Sequence, residues 1–354
     1  MGDLSGPPTD AKDIRSRPKP HCGFCGIEGA PLYRGLSDRL YSAPGAWGFR
    51  RCPSPDCGLV WLDPSPLEED LGIAYEKYYT HAATGASPSA SLPKRAYRYV
   101  RDGYLERKFG YDRGEPSFWR KRAGLLLYPF PGRRADLEFS VMYLPSRRGG
   151  TLLEVGCGGG DTVGWLTGLG WNAEGIDTDG AAVRAAQEKG LNVRLGRMED
   201  QESLPGRFDA VTMSHLIEHV PDPRRLLRGA WQVLRPGGCV SIVTPNILSL
   251  GHRRFGAAWF HLDPPRHLNL FHPSLLRRMA AEAGFREIKV STVIRDANSL
   301  FAASRSIAAT GRCTMGPPLG ALPAAWSKAL QLREWMELRR DPHAGEEIAL
   351  VARK

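Results

Sequence analysis

From residue 151 onward, short apolar runs alternate with amphipathic stretches, and that alternation predicts the fold. Strands are expected at 151–155, 171–176, 192–195, 208–213 and 238–243, with helical pieces between them. Asp179 can cap one helix that Gly190 ends. Asp222 and Pro223 open another, in which Leu227, Ala230, Trp231 and Leu234 line one face before Pro236-Gly237-Gly238 stops it. Strands alternating with helices imply a parallel sheet covered on both faces. Further on, Ser274 caps a helix closed by Gly284, 286–294 reads as a strand, and 346–352 reads as a last strand returning to the sheet. The stretch 296–343, rich in Ala, Gly and Pro and carrying Trp326 and Trp335, is expected as helices added outside the core. Upstream, 63–80 has the form of a proline-started helix, and 82–92 that of a small, polar linker or lid.

The first of these strands runs into a glycine cluster, Thr-Leu-Leu-Glu-Val-Gly-Cys-Gly-Gly-Gly at 151–160, followed by a helix. This is the build of a nucleotide-binding turn. Gly156, Gly158 and Gly160 form G-x-G-x-G, while the dinucleotide fingerprint would place its third glycine where Asp161 stands. An aspartate there disfavours a pyrophosphate. Glu154 at the strand end points to a ligand with an amino group, and S-adenosylmethionine has both properties. In open α/β sheets ligands bind beyond the carboxyl ends of the strands. Asp177, seventeen residues past Gly160, is therefore placed for the ribose hydroxyls, and Met198 with Glu199 for the adenine. Cys157, Thr178 and Ser214 lie in the same strand-end stretches and complete the expected cofactor set.

Composition adds two features to this picture. The 354 residues, 42% of them hydrophobic, suffice for one large domain with appendages. Neither a membrane span nor a signal peptide is visible, so the reading is cytoplasmic, with no membrane partner. The first feature is four cysteines paired as Cys22-x-x-Cys25 and Cys52-x4-Cys57, a spacing that suits a structural zinc ribbon; the second gap is wide, and His21 is an alternative ligand. The second is charge. Of a net +10, a surplus of six lies in 93–122, where ten Lys or Arg meet four Asp or Glu among Tyr97, Tyr99, Tyr104, Phe109, Tyr111, Phe118 and Trp119. Nucleic-acid binders use such mixtures. The competing reading has Tyr97, Val100 and Tyr104, at helical spacing, docking a basic-faced helix onto the core.

Six of the nine histidines lie between 215 and 272. Methyl transfer to a hydroxyl requires an aligned acceptor and a base. The connection 244–273 is long and aromatic and is expected to wall the acceptor pocket through Trp259, His261, Arg266, His267 and Phe271. His267, set by Pro264-Pro265, is the first choice of base, against a purely structural role; His219 is the alternative, and His215 completes the catalytic set. His215, Glu218 and His219 stand at i, i+3 and i+4, a face that either binds a divalent metal or holds the neighbouring loop.

The chain resembles the class I S-adenosylmethionine-dependent methyltransferases. The likeness is carried by Leu152–Gly160, Gly175–Asp177, Phe208–Val211, Ile217–Pro223 and Leu234–Gly238, in that family's order. The cysteine pairs followed by Gly58-Leu59-Val60-Trp61-Leu62-Asp63-Pro64 resemble the zinc-ribbon extension of a small-molecule subset. The resemblance implies a Rossmann-like seven-stranded α/β sheet with an antiparallel last strand, preceded by a zinc ribbon and joined by added helices. It also implies S-adenosylmethionine as donor, with Glu154 and the glycines on the methionine end. The expected organisation is a disordered tail at 1–20, a ribbon at 21–62, a helical, basic connector and lid at 63–144, and the cofactor domain at 145–354. The leading function is methylation of a hydroxyl on a sugar, phenol or secondary metabolite. Methylation of RNA through the ribbon and the basic segment is the second reading, and a non-catalytic adaptor the third.

Overall fold

The computed structural model describes residues 13–75, 92–112, 115–201, 205–313 and 321–354. The N-terminal part is β. Strand β1 (Ser16–Arg17) pairs with β5 (Ser65–Pro66), and β2 (Ala30–Leu36), β3 (Trp47–Arg51) and β4 (Val60–Leu62) form an antiparallel meander between them. Two expectations change here. Residues 13–20 of the supposed tail are ordered by the β1–β5 pairing and by Arg15, whose Nε donates to Asp70 Oδ2 at 2.8 Å. The helix expected over 63–80 is only a 3-10 segment at Glu68–Tyr75, because Pro64 and Pro66 hold the chain before it extended; 76–80 and most of the proposed linker lie outside the described residues.

Three helices follow, α1 (Leu92–Phe109), α2 (Phe118–Ala123) and α3 (Pro131–Ser140). Helices α1 and α2 cross at Gly103 and Gly124; a Cβ on Gly103 would overlap the Arg120 carbonyl, so only glycine permits this approach. Tyr104 is buried there as expected, whereas Tyr97 stays 44% exposed, so only the C-terminal half of α1 docks on the core.

The main sheet comprises β6 (Thr151–Val155), β7 (Asn172–Asp177), β8 (Val193–Leu195), β9 (Phe208–Ser214), β10 (Leu234–Pro245), β12 (Arg286–Val293) and β13 (Glu347–Arg353). Its order is β12-β13-β10-β9-β6-β7-β8, and β13 runs antiparallel to both neighbours. Helices α4 (Asp161–Gly168), α5 (Gly180–Glu188), α6 (Pro223–Val233) and α8 (Pro273–Glu282) cover it. Asp179 and Asp222 cap α5 and α6 as the sequence indicates. The cap of α8 is His272, not Ser274: His272 Nδ1 accepts from Leu275 N, and Pro273 takes the first helical position, where no N–H is needed. Alternate strand residues feed the two faces, Ile176, Val211, Met213, Ile242 and Leu350 on one, Leu152, Ala210, Val243 and Ala349 on the other.

The long connection after β10 is not a free loop. It forms α7 (Leu250–Phe255), two 3-10 turns and β11 (Asn269–Leu270), which pairs antiparallel with β4 through Asn269–Trp61 and Leu270–Val60. The N-terminal sheet is thus β11-β4-β3-β2, its last strand supplied by the connection after β10, with Trp47, Phe49, Val60, Leu262 and Leu270 in one shared core. Helices α9 (Ala297–Thr310) and α10 (Ala321–Glu337) pack outside, against α7. No helix among the described residues is long and apolar enough to cross a membrane.

Candidate active site

The glycine turn sits at the carboxyl end of the central strand β6. Gly156, Gly158 and Gly160 all have positive φ (71°, 51° and 76°), which an L side chain rarely adopts. A Cβ on Gly158 would meet nothing within 4 Å, so its outer side is open, whereas one on Gly156 would lie 2.9 Å from Leu216 Cδ1. Leu216 therefore brings the turn after β9 against the glycine turn. Asp177 closes the other side, its Oδ2 accepting from Gly158 N (2.7 Å) and its Oδ1 from Asp179 N (2.8 Å). Glu154 is 2% exposed and its Oε2 has no hydrogen-bond partner; burial pushes its carboxyl up to about 8. A buried acid with one unpartnered oxygen beside an open glycine cradle fits a ligand that brings an ammonium.

The remaining expected cofactor contacts divide. Thr178 is exposed, and Glu199 and Ser214 are partly exposed, at the same end of the sheet. Met198 is buried against Gly229, and the Cys157 thiol turns inward against Gly175, so from Cys157 only the backbone faces the turn. Asp161, the first residue of α4, is exposed and pairs with Lys189 at 2.9 Å.

Next to Leu216 lies a cluster of four histidines around Glu218. His215 faces a carboxylate on each side, Glu218 Oε1 at 3.2 Å from Nδ1 and Glu347 Oε1 at 3.1 Å from Nε2. Burial works against its charge, but Glu347 and Glu218 outweigh it and raise His215 to about 9. Arg295 Nη2 also lies 3.1 Å from Nε2, so both ring nitrogens are engaged inside the cluster. Glu218 is fully buried; burial raises it, yet the hydrogen bond and charge of His215 hold it ionised at about 2. It also accepts from Thr244 Oγ1 at 2.9 Å.

His219 and His267 sit edge to face, ring centroids 4.7 Å apart. The Arg266 carbonyl, 3.0 Å from His219 Nδ1, can only accept, so Nδ1 carries the proton, with Tyr75 Oη also at 2.9 Å, and Nε2 keeps its lone pair. The His261 carbonyl, 2.7 Å from His267 Nδ1, fixes the same tautomer there. Burial, then the neighbouring His267, lowers His219 to about 4, so it is neutral across the physiological range. His219 is partly exposed, whereas His267 is 5% exposed. Glu218, His219 and His267 each have one ligand atom within 4.8 Å of the others, a two-histidine, one-carboxylate set. His261, 4% exposed with Nε2 unpartnered, lies near-parallel to His215 and to His267, at centroid distances of 6.0 and 6.3 Å.

Three expected acceptor contacts are committed elsewhere. Arg266 is fully buried between Asp38 (2.7 Å) and Asp263, with Tyr41 under its guanidinium. Trp259 is 1% exposed and donates from Nε1 to Glu346 at 2.8 Å, and Phe271 is 0% exposed in the core. These hold the loop and do not line a pocket. Conversely, Tyr75, Glu347 and Arg295 belong to the cluster, and Asp38 braces it. None of them stands in a motif, and only the fold brings Asp38 228 residues along the chain to Arg266.

The four ribbon cysteines converge, with Cys22 Sγ 3.6 Å from Cys57 Sγ and Cys25 Sγ 3.3 Å from Cys52 Sγ. All four sulfurs lie within 4.8 Å of one another. A tetrahedral ion with bonds near 2.3 Å sets its ligand sulfurs ~3.8 Å apart, so this set fits zinc. His21 pairs with Glu28 in a β-bridge and is not part of the cluster. Phe24 donates N–H to Cys22 Sγ (3.4 Å), and its ring is covered by Arg224 and Arg278, at 4.1 and 4.2 Å. The knuckles thereby join α6 and α8.

Residues 132–290 match the family described as a methyltransferase domain. A ubiquinone biosynthesis O-methyltransferase of Thiobacillus denitrificans is 34% identical over 149 residues, 38% of this chain and 64% of that protein. One of Albidiferax ferrireducens is 37% identical over 106 residues, covering 28% and 42%. The chain thus spans about half the length of these curated relatives. A solved methyltransferase of Archaeoglobus fulgidus is 23% identical with a TM-score of 0.44, covering 67% of this chain and all of that one.

Proposed function

We propose that the chain, whose residues 132–290 match a methyltransferase-domain family, is a class I S-adenosylmethionine-dependent methyltransferase that methylates a hydroxyl of a small molecule. The observation carrying this reading is the juxtaposition, through Leu216, of an open glycine cradle with a tautomer-fixed histidine pair. The relatives named as O-methyltransferases support oxygen as the acceptor atom. Among hydroxyl acceptors, we favour a sugar, phenol or secondary metabolite.

S-adenosylmethionine, when bound, supplies an activated methyl group on a sulfonium. The chain's part is to hold it and to prepare the acceptor. Glu154 takes the ammonium, Gly156 to Gly160 leave room for the body, and Asp177 takes the ribose hydroxyls while bracing Gly158. His219, through Nε2, receives the acceptor's proton; Glu218, already ionised, stabilises the imidazolium that forms, and His267 packs the ring in place. One structural zinc on Cys22, Cys25, Cys52 and Cys57 holds the ribbon against α6 and α8.

Calorimetric titration with S-adenosylhomocysteine tests the cofactor assignment. Micromolar-range binding is expected, and Asp177→Ala should weaken it by roughly 100-fold, two charge-assisted hydrogen bonds at about 1.5 kcal/mol each. Because Glu154 is raised to about 8, it is protonated below that pH and must ionise to meet a cation. Binding at pH 6.5 should therefore release a proton, read as a buffer-dependent heat, and tighten as pH rises toward 8; Glu154→Gln should abolish the release. A wild-type protein that gives no heat would refute the assignment.

A further inference from the structure

Nine of the fourteen large hydrophobic side chains that are strongly exposed among the described residues fall between Leu92 and Phe130. They do not form an accidental scatter. On α2 and the turn Gly124–Leu127, the adjacent Phe118 (64% exposed) and Trp119 (72%) stand about two helical turns before Leu126 (66%), and Phe130 (57%) extends the strip. Phe118 and Trp119 pack edge to face at 5.4 Å, and Arg122 lies over Phe118 at 5.5 Å.

The same layer concentrates the charge. Between Leu92 and Arg134 stand twelve Lys or Arg and four Asp or Glu, most of the chain's net +10. The acids are largely spent internally: Glu106 is buried and accepts from Arg120, Glu138 beyond the segment takes Lys108, and Asp102 takes Arg101. Lys94, Arg95, Arg98, Arg107 and Arg122 have no acidic partner among the described residues. Leu92 to Tyr99, the first two turns of α1, is exposed at every position. The crossing at Gly103 and Gly124 packs α1 directly against α2 and the turn that follows it.

We propose that α1 and α2 form a docking surface for an anionic lipid bilayer, lying on it without spanning it. Exposed aromatic and aliphatic side chains with unpaired cations around them match the interfacial region, where apolar groups enter the acyl boundary and cations meet phosphates. A second copy of the chain would set this positive face against itself. Nucleic acid would use the cations and the rings but gains nothing from Leu92 and Leu126, which offer no stacking face. The surface is independent of the methyltransferase reading.

Sedimentation with vesicles tests it, using the purified full chain. The protein should pellet with phosphatidylcholine–phosphatidylglycerol vesicles and at least tenfold more weakly with phosphatidylcholine alone, and added salt should release it. The combined variant Phe118→Ser, Trp119→Ser, Leu126→Ser should lose at least tenfold of that binding. Since all three side chains are exposed, its circular dichroism and S-adenosylhomocysteine titration should match the wild type. Lys94→Glu with Arg95→Glu and Arg98→Glu should lose it independently. The proposal is overturned by a wild type that ignores anionic vesicles, by a serine variant that still pellets, by an RNA oligonucleotide binding through these residues without vesicle binding, or by light scattering that shows the apolar strip holding a dimer.

Discussion

Changing Cys22 and Cys25 together to serine should strip the protein of its zinc and of most of its stability. Structural zinc sites bind with apparent free energies of ~10 kcal/mol or more, comparable with the 5–15 kcal/mol net stability of a whole domain. Here the effect should reach past the ribbon. Cys22, Cys52, Cys57 and Phe24 pack in the same core as Leu227, Leu275 and Met279 of α6 and α8, and His272 donates from Nε2 to the Cys57 carbonyl at 2.8 Å while capping α8. The β4 strand that follows carries β11, and the β2–β3 hairpin carries Asp38, the partner of Arg266. Elemental analysis should find one zinc per wild-type chain and none in the variant, with the melting temperature lowered by more than about 10 °C. Equal melting temperatures, or a wild type without zinc, would show that the cysteines do not form a structural site.

His219→Ala should lower turnover of a hydroxyl acceptor by roughly 10²- to 10⁴-fold, the range for a lost general base, while leaving S-adenosylhomocysteine affinity within a few-fold. Its ring is the one in the pair that reaches solvent, so removal leaves no unsatisfied group in the core beyond the Tyr75 hydroxyl and the Arg266 carbonyl. His267→Ala should cost less turnover and more stability, since that ring is buried. The pH profile separates this base from an ordinary histidine. With His219 lowered to about 4, the rate at saturating S-adenosylmethionine should stay flat as pH falls from 7 to 5. A loss of activity with a midpoint near 6.5 would instead assign the proton transfer to an unperturbed imidazole.

The strand ends around the glycine turn can be placed from the sequence, whereas the packing of the histidine-rich segment cannot, for a physical reason. Strand ends in a parallel sheet are local: Glu154, the glycines and Asp177 lie in short apolar runs whose order alone places them, and β6, β7 and β9 begin and end within a residue or so of expectation. The acceptor side is assembled from distant pieces. Arg266 looked like a ligand because a cation in an aromatic loop usually serves one; its neutralisation by Asp38 depends on the ribbon folding over the loop. Phe271 follows a two-residue strand that exists only because β4 is there to pair with it. His215 reads as a base in isolation, but its ring is engaged by Glu347, which arrives on the last strand, and by Arg295. The α8 cap moved from Ser274 to His272 because Pro273 claims the first helical position, a local rule that the serine's stronger preference masked.

A crystal structure of the protein soaked with S-adenosylhomocysteine is the most direct test of the account. The ligand should lie over Gly156 to Gly160 with its amino group at Glu154 and its ribose at Asp177, and the open side of its sulfur should face Nε2 of His219 across a gap wide enough for a hydroxyl. A sulfur pointing away from the His219–Glu218–His267 cluster, or separated from it by the packed 259–271 segment, would contradict the proposed transfer.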